Sequence, residues 1–117
     1  MRFLVTGGAG YIGSHTVRML ILQGHSLVIL DDFSTGHRWA TQNQEVVNVD
    51  LTDLRALHKN LSGRHFDGIF HFAAKSVISE SNHEPLKYYK NNLCGTANLL
   101  EVALANGWLK WVMSSTA

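Results

Sequence analysis

The segment TGGAGYIG, residues 6–13, contains two overlapping glycine patterns. Gly8, Gly10 and Gly13 have the spacing G-x-G-x-x-G, and Gly7, Gly10 and Gly13 have the variant with a wider first gap. Glycine allows a tight turn and lets backbone amides approach a pyrophosphate, and a helix that begins there adds a favourable field for the anion. Because an apolar run precedes the glycines and a helical pattern follows them, the segment predicts a dinucleotide site rather than an unliganded turn.

Asp31 follows the next apolar run, Leu27–Leu30. An acidic side chain at this position accepts hydrogen bonds from the adenosine ribose and repels a 2′-phosphate, so the sequence favours NAD over NADP. Arg38 is nearby in sequence and could tolerate a phosphate, but Asp31 is closer to the expected ribose. The alternative is an ordinary surface aspartate in the loop after a strand.

A second group of polar side chains, Ser114–Thr116, follows the apolar run that ends at Met113. Hydroxyl groups in this position are typical of a strand that delivers side chains to a site. No activating base lies beside them in the sequence, so the rest of such a site has to come from elsewhere.

Short apolar runs alternate with helical patterns. The predicted strands are residues 3–5, 27–30, 46–49, 68–72 and 108–113. The predicted helices run from Ile12 to a cap at Gly24, from a cap at Thr52 or Asp53 through Leu54, Leu57 and Leu61, and over 84–106. This order predicts an α/β fold, a Rossmann-type doubly wound parallel sheet, incomplete at about five strands. Its candidate site residues meet where the strands end.

Helical spacing also predicts which side of each helix is buried. On the first helix the predicted side is Ile12, Thr16, Met19, Leu20 and Gln23, widened by Val17 and Ile21. On the last helix it is Leu93, Ala97, Leu100 and Leu104.

His71 lies inside an apolar strand and is expected to be a hydrogen-bonded core residue, and Cys94 is expected to be buried or half-buried rather than a nucleophile.

Composition excludes several classes of function. The chain has 117 residues, a net charge of +1 and a single cysteine. The balanced charge argues against a nucleic-acid or membrane surface, and the apolar runs are too short to cross a bilayer. A lone cysteine favours a reducing, cytoplasmic compartment. The seven histidines lack the H-x-x-x-H spacing, so no metal site is expected.

Five segments together closely resemble the UDP-glucose 4-epimerases and their near relatives, within the extended short-chain dehydrogenase/reductase family. The segments are TGGAGYIGSH, LDDFSTGH, HFAAKSVISES, YYKNNLCGTANLLE and SSTA. The glycine motif is shared by the whole family, whereas DDFSTGH combined with NN-x-x-GT is more specific to nucleotide-sugar epimerases. The resemblance covers essentially the whole chain but only about the first third of such an enzyme.

The resemblance implies contacts with NAD, residue by residue. The implied cofactor-binding residues are Gly7, Gly10, Tyr11, Ile12 and Gly13 at the pyrophosphate, Asp31, Asp32, Phe33, Ser34, Thr35 and Gly36 at the ribose, Asp50 and Leu51 at the adenine, Phe72, Ala73, Ala74 and Lys75 under the middle of the cofactor, and Asn91 on the long helix. The family's lysine falls one position after Lys75, where this chain has Ser76. Thr116 matches the catalytic Ser/Thr that binds the sugar's 4-hydroxyl.

The family's catalytic base is the tyrosine of a Tyr-x-x-x-Lys motif, and residues 1–117 contain no such motif. We therefore expect these residues to be the N-terminal NAD-binding Rossmann domain of an epimerase, without its substrate domain and inactive alone. The resemblance also implies a UDP-sugar substrate and a homodimer through the 84–106 helix. Two alternatives remain, namely a non-catalytic NAD-binding module and a nucleotide-sugar dehydratase or decarboxylase; Ala117, where dehydratases often have an acidic residue, favours an epimerase.

Overall fold

A computed structural model describes residues 1–8, 11–31, 44–72, 86 and 93–113. Its elements are strand β1 (Arg2–Thr6), helix α1 (Tyr11–Leu22), strands β2 (Ser26–Leu30) and β3 (Glu45–Val47), helix α2 (Leu54–Leu61), strand β4 (Gly68–His71), helix α3 (Gly95–Asn106) and strand β5 (Trp111–Met113). The alternation of strands and helices predicted from the apolar periods is confirmed.

The strands form one parallel sheet in the order β3-β2-β1-β4-β5. The chain winds outward from β1 to β3, then returns and places β4 on the other side of β1. The predicted Rossmann-type parallel sheet is therefore confirmed. Its topological switch point lies between β1 and β4, which is where open α/β sheets bind ligands.

Both faces of the sheet are covered, because successive strand residues point to opposite sides. Leu4 and Val28 belong to a core shared with α2 and α3. Val5 and Ile29, their chain neighbours, belong to a second core with Val17 of α1. This two-sided burial explains why the central strands carry runs of consecutive apolar residues rather than alternating ones.

The buried side of α1 is only partly the predicted one. Val17 and Leu20 are buried as predicted, together with Gly13, whereas Ile12 and Met19 are 56% and 61% exposed. A Cβ atom added at Gly13 would lie 2.0 Å from the carbonyl oxygen of Gly7. The backbone of α1 therefore rests on the turn after β1 at Gly13, and this contact sets the rotation of the helix.

The buried side of α3 was also wrongly predicted. Leu93, Ala97, Leu100 and Leu104 are all exposed; we call these four residues the outer face of α3. The buried residues are Gly95, Leu99, Val102 and Ala103. A Cβ at Gly95 would lie 3.1 Å from Leu51 Cβ, so the absence of a side chain allows α3 to approach this loop closely.

Two smaller expectations also fail. Cys94 is exposed rather than buried, since it precedes Gly95 at the edge of the inward face of α3. The fifth strand is shorter than predicted because Trp108 turns into the core, where its indole N–H donates to Arg64 O at 2.9 Å and its ring meets Phe66 edge-on. The predicted caps are confirmed, with Asp53 accepting from Ala56 N at the start of α2 and Gly24 and Gly107 at positive φ after α1 and α3.

Replacing Gly13 with alanine tests whether α1 depends on backbone contact. We expect Gly13→Ala to lower the free energy of unfolding by about 3 kcal/mol or more. The new Cβ would clash with backbone atoms of the turn, and a change of side-chain rotamer cannot relieve such a clash. Gly24→Ala is the matched control, since Gly24 has φ +84° and open space around it, and should lose only about 1–2 kcal/mol. Urea denaturation followed by circular dichroism measures both, and equal losses would contradict the contact.

Candidate dinucleotide-binding site

The carboxyl ends of the three central strands are level with one another. Thr6, the last residue of β1, pairs in register with Leu30 of β2 and His71 of β4. Gly7, Asp31 and Phe72 therefore leave the same edge of the sheet directly after three neighbouring strands. The structure brings these three sequence-predicted site residues together at the switch point.

The glycine turn lies between β1 and the first turn of α1. Gly7 has φ +71°, and its N–H donates to Leu30 O at 2.8 Å. A Cβ at Gly8 would lie 2.7 Å from the Ile29 side chain. Gly7 therefore contributes the turn rather than a free amide. The N-terminal amides of α1, at Tyr11, Ile12 and Gly13, remain as donors toward a bound anion because a helix leaves its first amides without partners inside the helix.

Asp31 lies at the end of β2, and 9% of its surface is exposed. Its N–H donates to Val47 O at 3.2 Å, so its backbone is held by β3. A mostly buried carboxylate is stabilised by hydrogen-bond donors. Ribose hydroxyls are suitable donors, as the sequence pattern predicts.

Asp50 and Leu51 form a tight loop between β3 and α2. Asp50 Oδ1 accepts from the N–H and the hydroxyl of Thr52, both at 2.8 Å. Leu51 is buried, and its carbonyl oxygen accepts from Asn98 Nδ2 at 2.9 Å. Helix α3 therefore fixes the loop in which the resemblance places the adenine contacts.

His71 is the more deeply buried of two buried titratable groups, Asp31 and His71, that the structure describes at this edge. It is 2% exposed, with Nδ1 2.6 Å from Thr6 Oγ1 and Nε2 2.9 Å from Thr96 Oγ1. Both ring nitrogens have hydroxyl partners, so the expectation of a hydrogen-bonded core histidine is confirmed. Burial lowers the pKa of His71 from its ordinary 6.5, which favours the neutral imidazole.

The remaining predicted site residues lie outside the described part of the chain. They are Gly10, Asp32, Phe33, Ser34, Thr35, Gly36, Ala73, Ala74, Lys75, Asn91 and Thr116. Their contacts with a cofactor stay predictions. The backbone of Tyr11 is described as the first residue of α1.

Sequence reasoning missed Gly95, Thr96 and Asn98. All three lie within YYKNNLCGTANLLE, which supplied the resemblance but no role for these side chains. A glycine within a helix destabilises it by about 1 kcal/mol relative to alanine, so Gly95 was itself a signal of close packing. Thr96 and Asn98 are polar neighbours of this glycine in the sequence, and they reach His71 of β4 and Leu51 O.

Within the described ranges, no three His, Cys, Asp or Glu side chains are grouped so that they could hold a metal ion. Among those same residues, no helix has both the length and the apolar character needed to cross a membrane.

A parallel sheet with a glycine turn at its switch point and an acidic residue after β2 defines the class of Rossmann-type dinucleotide-binding proteins. The profile of the NAD dependent epimerase/dehydratase family matches residues 3–117, and the chain belongs to that family.

Relatives from bacteria show the same assignment. The chain is 43% identical over 117 residues to a UDP-glucose 4-epimerase of Halalkalibacterium halodurans and 46% identical over 118 residues to one of Lacticaseibacillus casei. All of this chain is covered in both, but only 35% and 36% of those proteins. The chain thus spans about a third of the length of the curated relatives it matches.

Solved structures agree with the fold. The structure of UDP-glucose 4-epimerase with UDP-glucose from Thermotoga maritima has a TM-score of 0.93 and 34% identity, covering 99% of this chain and 38% of that one. The NAD complex of the Thermus thermophilus enzyme has a TM-score of 0.90 and 35% identity, covering 95% of this chain and 36% of that one.

The lowered pKa of His71 gives a prediction for stability against pH. The unfolded histidine takes up a proton near 6.5 and the folded one only below that value, so the stabilisation is complete above 6.5 and is lost as the pH falls through the lowered pKa. We expect the melting temperature to fall from about pH 7 to about pH 5 less steeply in His71→Asn than in the parent.

Thermal denaturation by circular dichroism across this range measures the slope. The matched control is His58→Asn, because the side chain of His58 is 40% exposed and lies 3.9 Å from Glu101. It should keep a slope close to that of the parent. If the melting temperature of His71→Asn falls with pH as steeply as that of the parent, the pH dependence does not come from the buried imidazole.

Proposed function

We propose that residues 1–117 are the N-terminal NAD-binding Rossmann domain of a nucleotide-sugar epimerase that interconverts UDP-glucose and UDP-galactose. The observation that carries the proposal is the conjunction of the glycine turn at the β1–β4 switch point with Asp31 after β2. The relatives named UDP-glucose 4-epimerase support the choice of sugar nucleotide. The sugar-binding part corresponds to the portion of those relatives that this chain does not match.

The described residues fit a dinucleotide. The contact between Gly13 and Gly7 allows the start of α1 to lie against the turn, so a pyrophosphate at this point meets backbone amides and the positive end of the helix dipole. A side chain at Gly13 would occupy this contact. Asp31 accepts from the adenosine ribose, and the loop at Asp50 and Leu51 borders the adenine. Phe72 immediately precedes Ala73–Lys75 in the sequence, whose contacts with the cofactor stay predictions.

When bound, NAD would supply the chemistry of reversible hydride transfer at C4 of the sugar. The residues of this chain hold and orient the cofactor for that exchange. Holding reacting groups together in the right orientation can lower the activation free energy by up to roughly 7–11 kcal/mol. Thr116 is proposed to bind the sugar's 4-hydroxyl, while proton removal belongs to a Tyr-x-x-x-Lys pair outside residues 1–117.

The ribose contact at Asp31 can be tested by cofactor preference. We expect the parent to bind NAD more tightly than NADP by calorimetry. We expect Asp31→Asn to weaken NAD binding by about 1.5–3 kcal/mol and to narrow the preference, because the charged acceptor that repels a 2′-phosphate is gone. Glu101→Gln, the same change on an exposed residue of α3, should leave both affinities unchanged. Tighter binding of NADP than NAD by the parent would defeat the proposal.

The outer face of α3 supports a further part of the proposal, a homodimer through this helix. Leu93, Leu100 and Leu104 are 67%, 44% and 63% exposed, and Ala97 lies between them. Contiguous apolar surface of this kind marks interaction sites. We also propose a cytoplasmic location, which the exposed, unpaired Cys94 supports because free thiols persist in reducing compartments.

Charge substitution on this face tests the dimer. We expect the parent to increase in mass with concentration by light scattering and Leu100→Glu to remain monomeric, because a buried carboxylate without a partner disfavours the interface. Leu22→Glu is the matched control, since Leu22 is 77% exposed at the end of α1. A parent that stays monomeric at high concentration, or equal dissociation by Leu22→Glu, would count against the interface.

A further inference from the structure

The proposed function leaves one buried group without a role, the imidazole of His71. It forms hydrogen bonds through both ring nitrogens, to Thr6 Oγ1 at 2.6 Å and to Thr96 Oγ1 at 2.9 Å. A neutral imidazole has one donor and one acceptor nitrogen, so one hydroxyl donates to the ring and the other accepts from it. The three side chains therefore form a directed chain of hydrogen bonds from β1 through β4 to α3.

The β1 end of this chain adjoins two predicted cofactor segments. Thr6 immediately precedes the glycine turn, and Phe72 begins the segment that passes under the cofactor. The N–H of Phe72 lies 2.9 Å from Thr6 O and 3.1 Å from Thr6 Oγ1. The hydroxyl that contacts His71 thus also holds the first residue after β4.

The other end of the chain reaches a third cofactor segment. Thr96 lies in the first turn of α3, five residues after Asn91, and its neighbours Gly95 and Asn98 hold this turn against Leu51. The packing of Gly95 permits a close approach but does not by itself fix how far α3 slides along the sheet. A directional hydrogen bond between Thr96 and the imidazole does fix it.

We propose that His71 is a positioning residue for NAD binding, which holds the end of β1, Phe72 and the start of α3 in one arrangement through Thr6 and Thr96. The inference rests on the proposed function. Side chains that touch a ligand bind it best when a supporting set of hydrogen bonds holds their backbone in place beforehand. His71 acts through its neighbours and does not itself contact the cofactor.

The test removes one link and measures NAD affinity by calorimetry. Thr96→Val keeps the shape of the side chain and removes the hydroxyl, so we expect NAD affinity to fall about three- to tenfold. Thr96→Ser restores the hydroxyl and should restore the affinity. His71→Asn keeps an amide near the position of Nδ1 but cannot reach Thr96, so it should lose a similar factor and remains informative where Thr96→Val does not fold.

Two further arms separate positioning from loss of stability. Combining His71→Asn with Thr96→Val should cost no more affinity than the larger single effect, because both remove the same link. Val102→Ala, which opens a cavity at a fully buried residue of the same helix, should lower the melting temperature and leave NAD affinity unchanged.

The outcomes distinguish the inference from the function on which it rests. Long-range nitrogen–proton NMR should show one His71 tautomer in the parent and altered nitrogen shifts in Thr96→Val. Equal NAD affinity in the parent and in Thr96→Val overturns the positioning role alone. An equal loss of NAD affinity in Val102→Ala also overturns the positioning role, because the loss would then follow from lower stability in general. A parent that binds no NAD overturns the proposed function and the inference with it.

Discussion

The contact between the backbones of α1 and the turn after β1 decides the geometry of this domain. A Cβ at Gly13 would lie 2.0 Å from Gly7 O, so only glycine lets the helix begin where it does. Burial of Val17 and Leu20 stabilises the packing by about 1.5–3 kcal/mol for each side chain, but such burial has no direction. Ile12 and Met19 offer as much apolar surface and are exposed, which shows that the glycine contact selects the rotation.

The opposite face of the sheet follows the same rule with polar bonds added. Gly95 brings α3 close to Leu51, and Asn98 and Thr96, which flank the buried side of the helix, reach Leu51 O and His71. Within the described ranges, no buried side-chain nitrogen or oxygen lacks a hydrogen-bond partner. A buried polar network with every member satisfied specifies one arrangement more strongly than apolar packing, which tolerates small shifts.

The sequence was sufficient for the element order, the parallel sheet and the alignment of Gly7, Asp31 and Phe72 at one edge. These features follow from apolar runs, turn glycines and the handedness of crossovers, which are local or general. It was not sufficient for the inward sides of α1 and α3. Both helices carry apolar residues on two sides, so periodicity alone cannot choose between Leu99 and Leu100. The glycines could have decided, because a glycine retained within a helix commonly faces a close backbone or side-chain contact.

Helix α3 carries two groups of side chains, because its period separates its faces. Leu99 belongs to the core on the inward side, and Thr96, at the margin of that side, reaches His71. The outer face, with Leu100 and Leu104, is exposed and lies about 100–140° around the axis from Leu99, whereas Thr96 is only about 40° from Leu100. A partner that covered the outer face would add packing to a helix whose other side contacts His71 and Leu51. In the proposed dimer, association would use Leu100 and Leu104, and the proposed positioning of the cofactor would use Thr96, one turn before Leu100 on the same helix.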